Sequence, residues 1–502
     1  MDILGGLLTI LQPATLMLIV FGTIAGVLVG ALPGLSSSMA VALLLPFTIY
    51  LDPIPAIAML ASLYCAGTFG GSITAILINA PGAPPAAATA FDGYPLARKG
   101  QAGRALGMAA VASVIGGIFS LIVLILAAPL LATVAYKFGP PEYFALTVFG
   151  LSMLASISGS SAIRNLIGGA FGVLLSTVGV DLLTGVERFT FNVPELYEGI
   201  NFIPVLIGLF AMAELLNQAG AKAKKLQRIA VGRIALPSRE DFRACWKTIL
   251  RSSGLGTFIG ILPAEGSTMA AMIGYNEAKR WSPNGKNFGE GEIEGVAGPE
   301  AANNAATGGA MVPTLALGIP GSATAAVILG GLQIQGLRPG PYLFQNQPDL
   351  LYAIFFSMLI ANVVFLIFGL AGARYFSRIS MIPREFLWPG VFCLCVVGAY
   401  GGAQSMVDVY IMLISGLVGF FLNRAGFSSA PIIMGLVLGH LVESSLGQSM
   451  ILFDQDATGF LTRPIALLFF ALALLSVLST PLGRFISAKR RAKVDRLAHG
   501  NE

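Results

Sequence analysis

The sequence predicts an all-α polytopic membrane protein built from two inverted-topology repeats with discontinuous helices and re-entrant segments. Of its 502 residues, 55% are hydrophobic and 11% are charged, whereas a soluble domain carries about 25% charged residues. Apolar runs long enough to cross a bilayer, about 20 residues each, recur along the whole chain. They include residues 16–32, 106–131, 350–370 and 464–480. The third observation is an internal repeat, which predicts where the helices break.

The repeat is clearest in two short stretches. Residues 26–40 read GVLVGALPGLSSSMA, and residues 256–270 read GTFIGILPAEGSTMA. A second ordered match follows each stretch, because Thr68, Gly70 and the Pro-Gly pair at 81–82 correspond to Thr307, Gly309 and the Pro-Gly pair at 320–321. Two ordered matches in each half indicate an internal duplication.

The duplication divides the chain into four parts. They are a first inverted repeat over 1–221, a basic cytoplasmic linker over 222–246, a second inverted repeat over 247–463, and an extra C-terminal helix with a basic tail over 464–502.

The basic residues predict the orientation. No Lys or Arg precedes Arg98, and basic residues then concentrate in 98–104, 222–251 and 484–496. Short basic connections remain in the cytoplasm, so the N-terminus is expected outside and the C-terminus inside. Spans are expected to start near Leu106, Glu142, Arg164 and Asn201, which gives the two repeats opposite orientations.

Composition also limits the function classes. The net charge of +5 is small for the length and is explained by membrane orientation rather than by nucleic-acid binding. Four cysteines without paired metal spacing and two histidines predict no metal site and no cofactor. An intramembrane protease would need a Ser–His pair, a zinc site or paired aspartates, and no such pattern is visible, so no enzyme is predicted. A channel remains an alternative, because inverted repeats permit one.

The first pair of motifs predicts broken helices with exposed helix N-termini. Pro33 interrupts the helical hydrogen-bond ladder, and the serines that follow it are preferred N-cap residues. A half-helix that starts inside the bilayer offers free N–H groups and a favourable dipole to an anion. The alternative is a kink packed against another helix. Because residues 263–268 repeat the arrangement, we expect a binding site near the bilayer midplane.

The second pair of motifs combines glycine with neutral polar residues. Breaks are expected near Gly70 and at the two Pro-Gly pairs, with Asn79 and Asn304 beside them. Glycine permits close backbone approach, and unwound carbonyl groups can coordinate Na⁺. The alternative for individual glycines is close packing of helices through small residues.

One acidic residue lies within the motifs. Glu265 is expected in the membrane, where a carboxylate is costly and by default functional; the alternative is a helix cap at the water boundary. Glu300 is a weaker candidate for a functional carboxylate within the membrane. Three other acids, Asp181, Asp408 and Glu443, are expected to be isolated at span ends. Ser113 and Ser415 are expected on ordinary spans.

These motifs yield two predicted residue sets. The predicted ion-coupling residues are Glu265 and Asn303. The predicted substrate-binding residues are Ser36, Ser37, Ser38, Thr68, Gly70, Asn79, Pro81, Gly82, Ser267, Thr268, Asn304, Thr307, Gly309, Pro320, Gly321 and Ser322.

The same motifs resemble a known family. The segments GALPGL at 30–35, YCAGTFGGSITAILINAPG at 64–82, FDGYPLARKG at 91–100, GPEAANNA at 298–305 and GIPGS at 318–322 are similar to the large membrane subunit of the bacterial tripartite tricarboxylate transporters. The resemblance implies the permease of a secondary transporter in the inner membrane. The paired breaks in the two repeats favour an elevator-like movement, with rocking of the helices as the alternative. It also implies carboxylate substrates such as citrate, coupling to Na⁺ or H⁺, a small four-helix membrane subunit and a periplasmic solute-binding protein.

Overall fold

The computed structural model describes residues 3–156, 161–181, 183–219, 236–263, 266–379 and 384–478. Helices dominate these residues, as predicted. Residues 222–235 of the predicted basic linker, Glu265 and the basic C-terminal tail fall outside the described residues, and residues 239–246 of the predicted linker belong to a helix. The chain forms two compact units, of which the first holds residues 1–137 and 201–424 and the second holds 138–200 and 425–502.

The first unit contains both copies of the repeated motifs. Its helices are α1 (Ile3–Ile10), α2 (Pro13–Gly30), α3 (Ser37–Leu44), α4 (Pro53–Ile78), α5 (Ala86–Leu96), α6 (Ala102–Ala135), then α9 (Phe202–Leu206), α10 (Ala213–Ala219), α11 (Arg239–Ile261), α12 (Gly266–Trp281), α13 (Glu294–Leu317), α14 (Ala323–Ile334), α15 (Pro341–Asn346), α16 (Pro348–Ile379), α17 (Arg384–Ala403) and α18 (Met406–Arg424).

The second unit contains α7 (Pro140–Met153), α8 (Ala162–Ser176), α19 (Ser429–Leu452) and α20 (Pro464–Leu478). A short antiparallel hairpin pairs β1 (Gly179–Val180) with β2 (Glu187–Arg188). Here Arg188 forms ion pairs with both Asp181 and Glu443, so the prediction that these two acids are isolated is wrong. Hydrogen bonds from the backbone N–H groups of Leu183 and Thr184, together with Arg188, lower the pKa of Asp181.

The predicted spans correspond to helices. Seven helices in the described part of the chain are long and apolar enough to cross a membrane. The four expected span starts at Leu106, Glu142, Arg164 and Asn201 lie within about one turn of the first residues of α6, α7, α8 and α9. These findings confirm a multi-pass helical membrane protein.

Two helices form the centre of the first unit. Every residue of α13 is buried, and α4 is buried continuously from Ala56 to Leu77. A helix that is apolar and buried on all sides is expected in a bundle core, yet α13 also carries Glu300, Asn303 and Asn304 within this core. Burying polar groups is costly unless they have partners, which makes the surroundings of α13 the natural place to look for function.

Candidate functional site

The first predicted break is present. Helix α2 ends at Gly30, the chain turns through Gly34 at φ +92°, and α3 begins at Ser37. The Ser36 hydroxyl caps α3 by accepting a hydrogen bond from the Met39 N–H at 3.2 Å, which satisfies one of the free donors at the helix start. In the second half, α11 ends at Ile261 and α12 begins at Gly266.

The second pair of breaks lies at the two Pro-Gly pairs, as predicted, but there is no break near Gly70. Gly70 is inside the continuous helix α4, and Thr307 and Gly309 are inside the continuous helix α13. The expected break near Gly70 is therefore wrong. The helices end instead at Asn79 and Gly318, which both adopt the left-handed conformation, with φ of 50° and 72°. Their backbone N–H groups bond to the carbonyl oxygens of Thr74 and Pro313, respectively.

Gly70 and Gly309 serve close packing between helices and do not interrupt their own helices. A β-carbon at Gly70 would lie 2.6 Å from the carbonyl oxygen of Val27, and one at Gly309 would overlap that of Thr257. Both glycines therefore allow two helices to approach closely, which is the packing alternative considered for them.

Eight glycines make the same contacts in the two halves. In the first half, Gly26 and Gly30 of α2 face the backbone of Leu63 and Gly67 in α4. In the second half, Gly256 and Gly260 of α11 face the backbone of Ala302 and Ala306 in α13. The set is completed by Gly70 with Gly82 and by Gly309 with Gly321, which pack against Gly30 and Gly260. Equivalent residues thus perform equivalent packing in the two copies of the motif.

Hydroxyl groups join the breaks of one half to those of the other. The Ser38 hydroxyl at the start of α3 shares a hydrogen bond of 2.9 Å with the Thr324 hydroxyl at the start of α14. Ser322, which caps α14 through the Ala325 N–H, shares a hydrogen bond of 3.0 Å with the Tyr64 hydroxyl of α4. The Ser267 hydroxyl of α12 lies near the same Tyr64 hydroxyl. The starts of α12 and α14 therefore lie beside Tyr64, a residue that sequence reasoning missed, and the start of α3 adjoins that of α14.

One amide side chain connects α13 to α4, and neighbouring polar groups bond within α13. The Asn303 side chain donates from Nδ2 to the Thr68 carbonyl oxygen at 3.4 Å, and its Oδ1 is buried without a hydrogen-bond partner. Asn304 donates to the Glu300 carbonyl oxygen, and the Thr307 hydroxyl donates to that of Asn304. Thr307 also lies near the Cys65 thiol of α4.

Several predicted residues lie apart from this cluster. Asn79 is exposed at the end of α4. Within the described residues, no hydrogen bond links Asn79 or Thr268 to another predicted site residue. Pro81 and Pro320 follow the ends of α4 and α13. Ser37 is buried, and its hydroxyl lies against Gly67.

Glu300, the weaker acidic candidate in the sequence, accepts hydrogen bonds from three hydroxyl groups. It is fully buried, and its carboxylate accepts hydrogen bonds from Ser72 at 2.5 Å, from Thr89 and from Ser113 at 2.8 Å. These donors come from α4, α5 and α6. Ser113 therefore does not lie on an ordinary span, which corrects the expectation from sequence.

A second buried carboxylate fixes the polar insertion before α13. Asp92 of α5 accepts hydrogen bonds from the backbone N–H groups of Gly289, Gly291 and Glu292 and from the Tyr275 hydroxyl. The insertion, residues 282–293, is a polar glycine-containing loop between α12 and α13, and this carboxylate holds it against α5.

A cavity of about 590 Å³ lies elsewhere in the first unit. Its polar lining includes Gln12, Asp52, Gln335 and Gln347. None of the predicted substrate-binding residues lines it. The cavity adjoins segments that the distribution of basic residues assigns to the outer side.

Comparison with known proteins identifies the family. The sequence profile of the tripartite tricarboxylate transporter TctA family matches residues 16–434. The chain is 40% identical over 492 residues to an uncharacterized 52.8 kDa protein in the TAR-I ttuC' 3' region of Agrobacterium vitis, with 98% of each chain covered.

A second relative is an uncharacterized protein in the TAR-II ttuC' 3' region of the same organism. It is 39% identical over 223 residues, which cover 44% of this chain and 92% of the relative. No solved structure matches the chain. The extent of the family match, on a helical membrane chain that carries the repeated motifs, shows that this protein belongs to the tripartite tricarboxylate transporter TctA family of membrane permeases.

Proposed function

We propose that this chain is the permease subunit of a binding-protein-dependent secondary transporter that imports tricarboxylates or related carboxylates across the inner membrane, coupled to Na⁺ or H⁺. The observation that carries the proposal is the meeting of half-helix starts from both halves of the chain: α14 and α12 reach Tyr64 through Ser322 and Ser267, and α3 reaches α14 through Ser38 and Thr324. Free N–H groups at helix N-termini favour anions.

The polar groups at these breaks are suited to a multiply charged anion that must also be released. Within the described residues at the breaks, the polar side chains are hydroxyls and amides, and no Lys or Arg is among them. Neutral donors contribute less binding energy than buried cations would. We expect the carboxylates to be held mainly by Ser37, Ser38, Ser267 and Asn304, with the other predicted substrate-binding residues around them.

The duplicated glycine contacts support a transport mechanism with two related halves. We propose that the two copies have inverted topology and that the unit carrying the breaks moves in an elevator-like displacement, which exposes the site to each side in turn. The close glycine packing between α2 and α4, and between α11 and α13, would allow each pair to move as a rigid body.

Reconstitution tests the whole proposal. The chain would be placed in proteoliposomes with the small membrane subunit and the cognate periplasmic binding protein, preloaded with a panel of tricarboxylates. We expect saturable uptake that requires the binding protein on the external face and an imposed Na⁺ or H⁺ gradient. High-affinity uptake by this chain alone would contradict the dependence on the binding protein, and uptake that neither saturates nor follows the gradient would indicate a channel.

Glu265 provides a separate test of ion coupling. If its carboxylate handles the coupling ion, Glu265→Gln should abolish ion-driven accumulation, because the amide keeps the shape and loses the charge. Accumulation would be measured in proteoliposomes at equal protein abundance. Glu277→Gln is the control, since Glu277 is a carboxylate of α12 that accepts a hydrogen bond from the exposed Trp281 side chain. Normal accumulation in the Glu265 variant would assign Glu265 to helix capping.

A further inference from the structure

Glu300 is the buried charge that the proposed substrate site does not use. It lies in the middle of α13 with 0% of its surface exposed. Within the described residues, no Lys or Arg forms an ion pair with it. An isolated carboxylate in such surroundings is strongly disfavoured unless it is neutralised. Hydroxyl donors reduce this cost, but they add no positive charge.

The hydroxyl partners of Glu300 are arranged around it from three separate helices. Ser72 and Thr89 contact Oε1, and Ser113 contacts Oε2. Serine and threonine in helices commonly bond to their own backbone, as Ser62, Thr68 and Ser120 do here. Three hydroxyls that instead turn to one carboxylate form a small oxygen-rich centre inside the bundle.

A second buried oxygen lies one helical turn away. Asn303 follows Glu300 by three positions, which places both on one face of α13. Its Oδ1 is buried, with 1% of the residue exposed, and has no hydrogen-bond partner. An unpartnered buried acceptor is rare and requires an explanation such as an unseen ion. Carboxylate, hydroxyl and amide oxygens are the groups that hard cations prefer.

The other charged groups of α5, α6 and α13 already have partners. Asp92 of α5 binds the backbone of the 289–292 loop, Arg104 of α6 pairs with Asp241 of α11, and Glu294 of α13 accepts from Thr248. The remaining titratable groups nearby on α4 are Tyr64 and Cys65, and Tyr64 bonds to Ser322. None of these groups supplies a counter-charge to Glu300.

We propose that Glu300 is the centre of a binding site for a single monovalent cation, a proton or a sodium ion, which neutralises the Glu300 carboxylate during transport. The site also includes Ser72, Thr89, Ser113 and the free oxygen of Asn303. This proposal rests on the proposed transport function for its role, because cation binding would make movement of α13 through the membrane electrically less costly. The cation would bridge α13 to α4, α5 and α6, so occupancy would also stabilise the packing of these helices.

Thermal unfolding of the purified full-length protein tests the site without requiring transport. In the sodium arm, NaCl replaces choline chloride at constant ionic strength and pH. In the proton arm, pH is varied without sodium. If sodium binds, the unfolding midpoint of the wild type rises with Na⁺. If the proton binds, the folded state holds more protons than the unfolded state, so the midpoint falls as pH rises.

Glu300→Gln should remove whichever response the wild type shows. Glu294→Gln is the matched control, because Glu294 is a buried carboxylate on the same helix that also accepts hydrogen bonds from two hydroxyls, and it should retain the response. If Glu300→Gln does not fold, Ser113→Ala replaces it. If sodium binds, loss of that donor should raise the sodium concentration needed for half of the maximal shift in unfolding midpoint by about tenfold. If the proton binds, it should move the midpoint of the pH response to a higher pH by about one unit. Ser120→Ala on the same helix should change neither.

The outcomes separate this proposal from the transport proposal. Absence of both responses in the wild type, or the same response in the wild type and Glu300→Gln, would overturn the cation site. A cation response lost in Glu300→Gln, combined with no carboxylate uptake in the reconstituted system, would support the site and contradict the transport function.

Discussion

Gly256→Ala is expected to destabilise the protein, whereas Gly254→Ala, two positions earlier on the same helix α11, is expected to leave it unchanged or more stable. A β-carbon at Gly256 would overlap the Ala302 carbonyl oxygen of α13, while a β-carbon at Gly254 would meet nothing within 4 Å. The same substitution therefore adds a clash at one position and only a helix-favouring methyl group at the other.

The expected magnitudes have opposite signs. Overpacking a close contact costs about 1–3 kcal/mol, and here the obstructing atom is backbone, which cannot rotate away. Replacing a helical glycine by alanine gains about 0.5–1 kcal/mol where space is free. The unfolding midpoints of the two variants in detergent should therefore fall on opposite sides of the wild type. Equal midpoints would show that α11 and α13 do not pack as closely as the glycine contacts require.

The equivalent pair of contacts in the other half extends this test. Gly26 faces the Leu63 carbonyl oxygen of α4, as Gly256 faces that of Ala302. Gly26→Ala should destabilise by a similar amount, since the two sites share the same packing. A large loss at one position and none at the other would indicate that the repeated motif has different structural roles in the two halves.

The breaks could be predicted where the sequence itself carries the cause. Pro33 followed by serines predicted the gap between α2 and α3, and Ser36 forms the expected cap. The ends of α4 and α13 are also encoded locally, because Asn79 and Gly318 tolerate the left-handed conformation that ends a helix. Helix ends of this kind depend on a few neighbouring residues, so they can be predicted from the sequence alone.

Glycines inside a helix are ambiguous in sequence. The expected break near Gly70 was wrong because a glycine that breaks a helix and a glycine that admits a neighbouring helix look alike. The two cases differ only in what lies opposite. For Gly70, the opposite group is the Val27 carbonyl oxygen, far away in the sequence.

The surroundings of Glu300 could not be predicted for a related reason. Its three hydroxyl partners lie at sequence separations of 187 to 228 residues. Ser72, Thr89 and Ser113 each look like ordinary small polar residues on a membrane helix, where bonding to the local backbone is the usual outcome. The three hydroxyls share the Glu300 carboxylate as acceptor only because α13 packs against α4, α5 and α6.

Removal of single donors from the proposed substrate site should weaken transport strongly. Ser38→Ala removes the hydroxyl that meets Thr324 at the junction of α3 and α14, and Asn304→Ala removes a buried amide of α13. Loss of one hydrogen bond to a charged ligand costs about 1.5–3 kcal/mol, which corresponds to roughly a ten- to hundredfold loss of affinity. The substrate concentration for half-maximal uptake should rise by this factor in each variant.

The control for these variants is a serine whose hydroxyl bonds only within its own helix. Ser253 of α11 is buried and donates to the Ile249 carbonyl oxygen at 2.7 Å, so Ser253→Ala removes a comparable group away from the helix starts. Uptake would be measured with the substrate identified through the cognate binding protein, at equal amounts of folded permease. Ser253→Ala should retain wild-type half-saturation. If Ser38→Ala and Asn304→Ala also retain wild-type half-saturation, the carboxylate does not bind where the half-helices meet. A ligand held only by neutral groups should lose measurable affinity when one of those groups is removed.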